Sequence, residues 1–309
     1  MIANGQTLDS NDLATFLRTL NLLVKQWQGK SDKFPGLKIW TRQRLVVWFA
    51  AGQTKFNIGP ASTDDRASAN ALSTLLTATK AANATSITVS STAGMTAADI
   101  IGFVTNAGTL GWGTISSVDT ATGLTIASNT IGAAASSNVV YTYTSKAQRF
   151  VDIESALLRD WSALNQPIDI PLQIYTDVQE YERITQKFAA GDPTAILVEP
   201  FRLNTRVTTN FSSPNVYRTL YLTVIYPSED YDNATGSDDI AYPQEYFAAL
   251  EWELARRCAP KFGRSWTQDL ATHWQIAVQD GVNLNPDDTS LHFEPGKDPW
   301  DSGSPFTRP

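Results

Sequence analysis

Apolar residues recur at steps of three and four near the start of the chain. This spacing is typical of an amphipathic helix that buries one face. The apolar stripe consists of Leu13, Phe16, Leu17, Leu20, Leu23, Val24 and Trp27. Asp9 or Ser10 can cap the start of the helix, and Gly29 stands where a helix is expected to end.

Residues 37–59 change to a strand pattern, LKIWTRQRLVVWFAAGQTKFNIG. Their Trp, Val, Ile and Phe residues predict two strands around a turn at AAGQ. Trp40 and Trp48 are either aromatic binding residues or the packed face of this hairpin. The pattern favours packing, because aromatic side chains commonly cover the buried face of paired strands.

Residues 67–145 are rich in Ala, Ser, Thr and Gly and contain the charged residues Lys80, Asp99 and Asp119. Short apolar runs alternate there with Gly, Asn and Asp turn signals. A flexible linker is one interpretation, but the regular spacing of the apolar runs favours a small all-β subdomain. We interpret it as an insertion, because helical patterning resumes after it in RFVDIESALLRDW (149–161).

The rest of the chain combines helices and strands. A short helix is predicted at 177–188, strands at 195–201, 205–212 and 219–227, and an acidic loop at 231–243. Two helices follow, YPQEYFAALEWELARRCAPKFG (242–263) and roughly 264–280. Beyond Gly281 the chain has no periodicity and is rich in Pro, Asp and Gly, which predicts an extended arm.

The helix at 242–263 has a clear division of residue types. Its apolar stripe, Phe247, Leu250, Leu254 and Cys258, predicts the packed face. Its charged residues fall largely off that stripe and predict an outer face; they are Glu245, Glu253, Arg256 and Arg257. Glu253 is spaced to pair with both arginines across one helical turn.

These elements predict an α+β fold with a helical core and a small strand layer. The core domain would be discontinuous, formed by residues 1–66 and 146–281. An inserted β-rich subdomain would occupy 67–145, and the extended C-terminal arm would occupy 282–309.

Charge is unevenly distributed along the 309 residues, whose net charge is −7. Residues 1–66 carry +4, residues 67–145 carry −1 and residues 146–309 carry −10. Tight nucleic-acid binding requires clustered cations, so this balance argues against it. A single cysteine excludes an intrachain disulfide and fits a reducing compartment. The sequence predicts neither a signal peptide nor a membrane span.

Catalytic patterns are weak. The sequence contains no phosphate-binding loop, dinucleotide fingerprint, GxSxG or HExxH motif. Cys258 and His273 form the one conceivable nucleophile and base, and a small buried cysteine is the simpler interpretation. Carboxylate pairs such as Glu245 with Glu253, or Asp238 with Asp239, have no further specificity. The segment DNATGSDD (232–239) lacks the ligand spacing of a calcium loop. We therefore expect no catalytic residues, no metal and no cofactor.

Three motifs in order resemble the head-to-tail adaptors of short-tailed bacteriophages, also called tail accessory factors or packaged-DNA stabilisation proteins. A helix ending in Trp leads to a W-T strand and a GQ-x-x-F-x-I-G segment. Later, an acidic loop precedes a P-Q-E-Y-x-x-A-L helix that closes with A-P-x-F-G. The matching residues are Trp27, Trp40, Thr41, Gly52, Gln53, Phe56, Ile58, Gly59, Asp230, Asn233, Pro243, Gln244, Glu245, Tyr246, Ala249, Leu250, Leu254, Ala255, Ala259, Pro260, Phe262 and Gly263.

The resemblance covers roughly 10–60 and 146–265 and implies a non-enzymatic structural protein of the virion, assembled in the host cytoplasm. It implies a homo-oligomeric ring, typically of twelve copies, that binds beneath the portal protein. Such a ring continues the DNA channel, retains packaged double-stranded DNA without sequence-specific binding and docks a tail-nozzle or tail-tube protein. Compact members lack the extra residues 67–145, and members usually carry a further helix before the start seen here.

Candidate interface residues follow from the charged helix and from the aromatic arm. Contacts with the portal or between subunits are expected at Arg256, Arg257, Phe293, Trp300 and Phe306. Two alternatives remain open. One is a tail-associated cell-wall hydrolase that uses Asp or Glu residues. The other is a glycan- or receptor-binding role for 67–145, based on Trp112, Tyr141 and Tyr143.

Overall fold

The computed structural model describes residues 9–28, 42–60, 66–127, 132–161, 167–187, 189–213, 215–227, 231 and 244–284. The chain divides into two compact units. The first, which we call the helical unit, combines Met1–Lys38 with Tyr231–Pro309, and the second, the β unit, is Ile39–Asp230.

The described helices are α1 (Ser10–Gln28), α2 (Val178–Glu182), α3 (Phe247–Cys258) and α4 (Gln268–Leu284). Short 3₁₀ segments, Gln244–Tyr246 and Ala259–Phe262, flank α3. The described strands are β1 (Arg42–Trp48), β2 (Lys55–Ile58), β3 (Arg66–Ser68), β4 (Leu72–Leu75), β5 (Ser86–Thr88), β6 (Ile100–Val104), β7 (Leu110–Val118), β8 (Gly123–Ile126), β9 (Val139–Tyr143), β10 (Asp152–Asp160), β11 (Ile168–Pro171), β12 (Gln173–Tyr175), β13 (Ala195–Pro200), β14 (Thr205–Thr209) and β15 (Arg218–Ile225).

Two sheets supply the main core of the β unit. One has the strand order β11-β10-β15-β1-β3 and the other the order β12-β13-β14-β2. Their inward-facing residues form a single hydrophobic cluster that includes Leu45, Ile58, Val207 and Leu222. Alternate residues point away from this cluster, as expected for sheets with one buried face.

The predicted hairpin of β1 and β2 is wrong. β1 pairs with β15 and β3, whereas β2 pairs with β14. The turn between them therefore carries the chain from one sheet to the other. Phe49 and Phe56 lie on either side of that turn, with ring centroids 5.5 Å apart, and both are buried in the shared core. Packing explains the aromatic residues, and Trp48 is buried as expected, while Trp40 lies outside the described residues.

The helical pattern that we predicted after residue 145 is a strand, β10. A bulge between Ile153 and Ser155 shifts its register against β15. The buried positions Ile153, Ala156 and Leu158 are consequently separated by three residues and then by two. A bulge adds one residue to a strand, so the apolar spacing imitates a helical step.

A third sheet, of order β4-β9-β6-β7-β8-β5, has its own hydrophobic core. A separate aromatic cluster joins it to the outer face of β1. Trp48 lies 5.4 Å from the ring of Tyr143, 5.6 Å from Tyr141 and 5.5 Å from Trp112, measured between ring centroids. Large aromatic contacts therefore attach the third sheet to the rest of the β unit.

Trp112 also covers a glycine. Gly102 on β6 is its cross-strand partner, and a Cβ atom built on Gly102 would lie 2.4 Å from the indole. The ring thus occupies the space of the missing side chain, a known way of protecting a glycine within a sheet.

We expect Gly102→Ala to lower the free energy of unfolding by about 2 kcal/mol, because the indole would have to move out of a packed cluster. Gly191→Ala is the control, since a Cβ there meets nothing within 4 Å. Urea denaturation followed by tryptophan fluorescence would measure both variants. Equal stability of the two would contradict this packing role.

The helical unit is built from α1, α3 and α4. α1 packs against α3, and α3 packs against α4. The predicted N-terminal helix is confirmed, and Leu23, Val24 and Trp27 are buried within its stripe. The amide of Asn21 donates to the Tyr231 carbonyl at 2.9 Å and accepts from the Tyr231 N–H at 2.8 Å. These two bonds tie α1 to the chain where it re-enters the helical unit.

The predicted fold class is wrong. Three sheets account for most of the regular structure of the described residues, and α1, α3 and α4 form the smaller unit. The protein is therefore mainly a β protein with a helical unit, not a helical core with a small strand layer. Most of its strands are short, and the two longest, β7 and β10, have register shifts against a neighbouring strand, so the strand pattern is weaker than that of the three long helices. Among the described residues, no helix has the length and apolarity needed to cross a bilayer.

Candidate functional site

A buried carboxylate lies at the centre of the helical unit. The side chain of Glu253 on α3 has no solvent exposure. Its Oε1 atom accepts hydrogen bonds from Arg256 Nη2 and Arg257 Nε, both at 2.7 Å. Its Oε2 atom accepts from Arg256 Nε at 2.9 Å and from Trp274 Nε1 of α4 at 2.6 Å. Four donors thus surround one carboxylate and join α3 to α4.

The surrounding donors decide the charge state of this carboxylate. Burial acts to raise the pKa of Glu253, but the hydrogen bonds and charges of Arg256 and Arg257 outweigh it and hold the pKa below its usual value. The same pairing raises the pKa of Arg256. The Arg256 guanidinium also lies 4.8 Å from the centroid of the Trp274 ring. The cluster is therefore a charged contact between two helices in which the carboxylate accepts four hydrogen bonds.

The predicted division of α3 into a packed apolar face and an exposed charged face is partly wrong, because the charged residue Glu253 is buried. Its pairing with both arginines is confirmed, but its position on the outer face is wrong because it is buried. Phe247, which we assigned to the packed stripe, is 40% exposed, while Leu250, Leu254 and Cys258 are buried as predicted. Spacing identifies which residues can pair within a helix, but it does not show that α4 covers them.

The predicted interface residues fall into two groups. The side chains of Arg256 and Arg257 keep 38% and 25% of their surface exposed while they bind Glu253. Each therefore presents part of its surface to solvent, and their role in an interface stays a prediction. Phe293, Trp300 and Phe306 lie outside the described residues.

Cys258 and His273, considered above as a nucleophile and its base, contact different residues. Cys258 is buried, and burial raises the pKa of its thiol, against smaller opposing effects of Lys261 and Thr19. A protonated thiol is a poor nucleophile. His273 is exposed, and its ring stacks on Trp252 with centroids 5.6 Å apart. The side chain of Glu245 and residues 232–239 lie outside the description, and no metal-binding cluster of His, Cys, Asp or Glu occurs among the described residues.

Large apolar side chains are exposed on each long helix of the helical unit. Leu22 of α1 is 55% exposed, Phe247 of α3 is 40% exposed and Ile276 of α4 is 56% exposed. Single exposed apolar residues are common on protein surfaces, but these occur on all three helices of a small unit. We take them as the candidate assembly residues. Leu22 lies off the apolar stripe of α1, so its exposure could have been predicted from the sequence.

The aromatic residues considered for glycan binding are largely used in packing. Tyr141 and Tyr143 are buried against Trp48, and burial raises the pKa of Tyr141. Trp112 is half-buried in the same cluster, with the Arg66 guanidinium 5.2 Å from its ring centroid. The two tyrosines therefore present no ring face to a ligand in this structure.

A second charged cluster lies on the outer face of the five-stranded sheet. The guanidiniums of Arg44 and Arg159 lie 4.7 and 4.4 Å from the centroid of the Tyr221 ring. Arg159 also donates two hydrogen bonds to Asp169, at 2.6 and 2.7 Å. These bonds lower the pKa of Asp169, although burial acts to raise it. Sequence alternation places these residues outward, but their grouping depends on strand pairing.

No model of a known protein family, no curated protein and no solved structure matches the chain. The resemblance to head-to-tail adaptors therefore rests on the ordered sequence motifs.

Proposed function

We propose that this chain is a structural head-to-tail adaptor of a short-tailed phage. It would form a ring beneath the portal protein, extend the DNA channel, retain packaged DNA and dock the next tail component. The observation that carries the proposal is the exposed apolar side chain on each helix of the unit that contains the shared helix motif.

The motif residues before the insert have defined conformational roles, which supports the proposal. Gly52 has φ +82°, a conformation that favours glycine. The Gln53 side chain accepts from the Ala50 N–H at 3.1 Å and donates to the Lys55 carbonyl at 3.0 Å. These features fix the turn that leads the chain from one sheet to the other.

Motif residues of the helical unit shape the packing of α3 and α4. A Cβ atom on Gly281 would lie 3.0 Å from the Cβ of Ala249, so small residues let the two helices approach. Leu250 and Leu254 are buried, and Gly263 closes the segment after α3 at φ +65°. The motif residues Ala249, Leu250 and Leu254 therefore lie on the packed side of α3, and the exposed residues of α3 and α4 are available for assembly.

Assembly supplies a physical reason for the exposed residues. Burying a large apolar side chain contributes roughly 1.5–3 kcal/mol, and a closed ring repeats each contact in every subunit. The acidic second half of the chain is compatible with a channel, because net negative charge repels DNA phosphates and does not retain them at the wall.

We expect the purified protein to form rings and to bind portal rings of the same virus. Replacing Ile276 by Glu should weaken the association of subunits about 10- to 100-fold, since it places a charge at a contact worth roughly 1.5–3 kcal/mol. Mass photometry over a dilution series, with and without portal rings, would measure this. Val118→Glu is the control, because Val118 is also exposed but belongs to the third sheet.

A wild-type protein that stays monomeric at every concentration and does not bind portal rings would refute the adaptor function. Rings that tolerate Ile276→Glu as well as Val118→Glu would instead reject the helical unit as the assembly surface.

A further inference from the structure

The turn between β13 and β14 presents apolar side chains to solvent. Phe201 is 41% exposed and Leu203 is 65% exposed. A backbone hydrogen bond closes the turn, since the Phe201 N–H donates to the Asn204 carbonyl at 2.8 Å. A Cβ atom on Gly59, the residue after β2, would lie 2.9 Å from the Leu203 carbonyl oxygen, so the backbone there lies close against the turn. We call residues 201–204 the hairpin tip.

Arginines surround this hairpin tip. Arg149 Nη1 donates to the Phe201 carbonyl at 3.1 Å. The Arg206 guanidinium lies 4.8 Å from the centroid of the Phe201 ring, and Arg202 is exposed within the tip itself. Cation–π contact of this kind holds the Phe201 ring in place and leaves its remaining surface open.

The excess positive charge continues along the same sheet. Arg206 Nε lies 3.4 Å from Asn57 Oδ1, and Lys55 stands two residues before Asn57, on the same face of β2. Among the described residues of this group, Glu199 is the opposing carboxylate, directly across from Arg206. An apolar tip with an excess of cations is complementary to a segment that carries both carboxylates and aromatic rings.

Residues 285–309 of the chain have that composition. Their charged residues are the carboxylates Asp287, Asp288, Glu294, Asp298 and Asp301 and the cations Lys297 and Arg308. Their aromatic residues are Phe293, Trp300 and Phe306. The segment also contains five prolines, which reduce the chain entropy lost on docking. Fully extended, 25 residues span up to roughly 80 Å.

We propose that residues 285–309 of one copy dock on the hairpin tip of a neighbouring copy. The aromatic residues cover Phe201 and Leu203, and the carboxylates face Arg149, Arg202 and Arg206. The neighbouring copy is the partner because each copy in the proposed ring has adjacent copies, and a segment that spans up to roughly 80 Å when extended can reach one of them. This inference therefore rests on the proposed function. Residues 285–309 are assigned as the docked segment because they complement the hairpin tip in both charge and apolar surface.

Disulfide cross-linking between separately purified full-length proteins tests the docking. In a Cys258→Ala background, one protein carries Leu203→Cys and the other carries Trp300→Cys. The mixed proteins are diluted until their assemblies dissociate, reconcentrated and mildly oxidised. We then expect covalent dimers to form at least tenfold faster than with a control pair in which Val118→Cys replaces Leu203→Cys. Val118 is 37% exposed and lies on the third sheet. Adding Arg202→Glu to the Leu203→Cys protein should slow cross-linking at least fivefold, and 0.5 M salt should slow it as well.

The outcomes separate this inference from the adaptor function. Rings that form with no preference for residue 203 over residue 118 overturn the docking and leave the adaptor function standing. If the protein forms no rings but still cross-links faster through residue 203 than through residue 118, the docking is supported and the ring-forming adaptor function is overturned. A chain carrying both cysteines that yields an internal disulfide in place of dimers overturns the assignment to a neighbouring copy. Unchanged rates with Arg202→Glu overturn the charge complementarity.

Discussion

Replacing Glu253 by Gln is expected to lower the free energy of unfolding of the helical unit by about 3 kcal/mol at pH 7. The buried carboxylate accepts hydrogen bonds from Arg256, Arg257 and Trp274. Removing one member of a buried ion pair is costly because the remaining charges lose their partner. The partial exposure of both arginines keeps the loss at the lower end of the usual range.

Denaturation followed by circular dichroism at 222 nm, together with hydrogen exchange of the α3 and α4 amides, would measure this loss. Glu251→Gln is the matched control, since Glu251 is exposed on the same helix. A loss below about 1 kcal/mol, or an equal loss in the control, would show that the cluster contributes little to stability.

The effect of Glu253→Gln should also depend on pH. The folded-state pKa of Glu253 lies below the unfolded-chain value, which is about 4.3. Its stabilisation is therefore fully present above about pH 4.3 and is lost as the pH falls through the lower folded-state pKa. We expect the stability difference between wild type and variant to be constant from about pH 7 to 5 and to shrink below about pH 4. A difference that grows on acidification would contradict the lowered pKa.

Replacing Trp48 by Ala should destabilise the β unit by about 4 kcal/mol. Trp48 is 2% exposed and contacts Trp112, Tyr141 and Tyr143. Truncating a buried Trp to Ala commonly costs 3–5 kcal/mol, because it leaves a cavity that neighbours fill incompletely. The loss should be concentrated in the third sheet, whose aromatic residues pack on this one side chain.

Urea denaturation gives the overall loss, and near-ultraviolet circular dichroism reports the loosening of the aromatic cluster. Trp48→Phe retains most of the apolar contact and should cost about 1 kcal/mol. If Trp48→Ala and Trp48→Phe proved equally stable, the third sheet would have to be attached by contacts other than this cluster.

The parts of the fold that sequence predicted correctly have long or uninterrupted patterns. The stripe of α1 runs over several turns, and the apolar runs of β13, β14 and β15 have standard strand lengths, so their type is clear. β10 was misread because its bulge changes the alternation. The pairing of β1 with β15 joins residues far apart in the chain, and no local pattern encodes it.

The candidate sites were less predictable for a similar reason. The pairing of Glu253 with Arg256 and Arg257 is local and follows from helical spacing. Its burial depends on Trp274 of another helix, so it required the tertiary structure. The packing of the elements also decides that Phe247 and Ile276 are exposed. It likewise decides that cations cluster around the hairpin tip.

The division of the helical unit between two parts of the chain has a consequence for synthesis. α1 ends at Gln28, and its partner α3 begins at Phe247, so the ribosome adds more than two hundred residues between them. At about 5–20 residues per second this interval lasts roughly 10–40 s. The β unit is continuous in sequence and is completed within it. The β unit should therefore fold first. Until α3 and α4 emerge, the apolar stripe of α1 has no packing partner and remains accessible to chaperones.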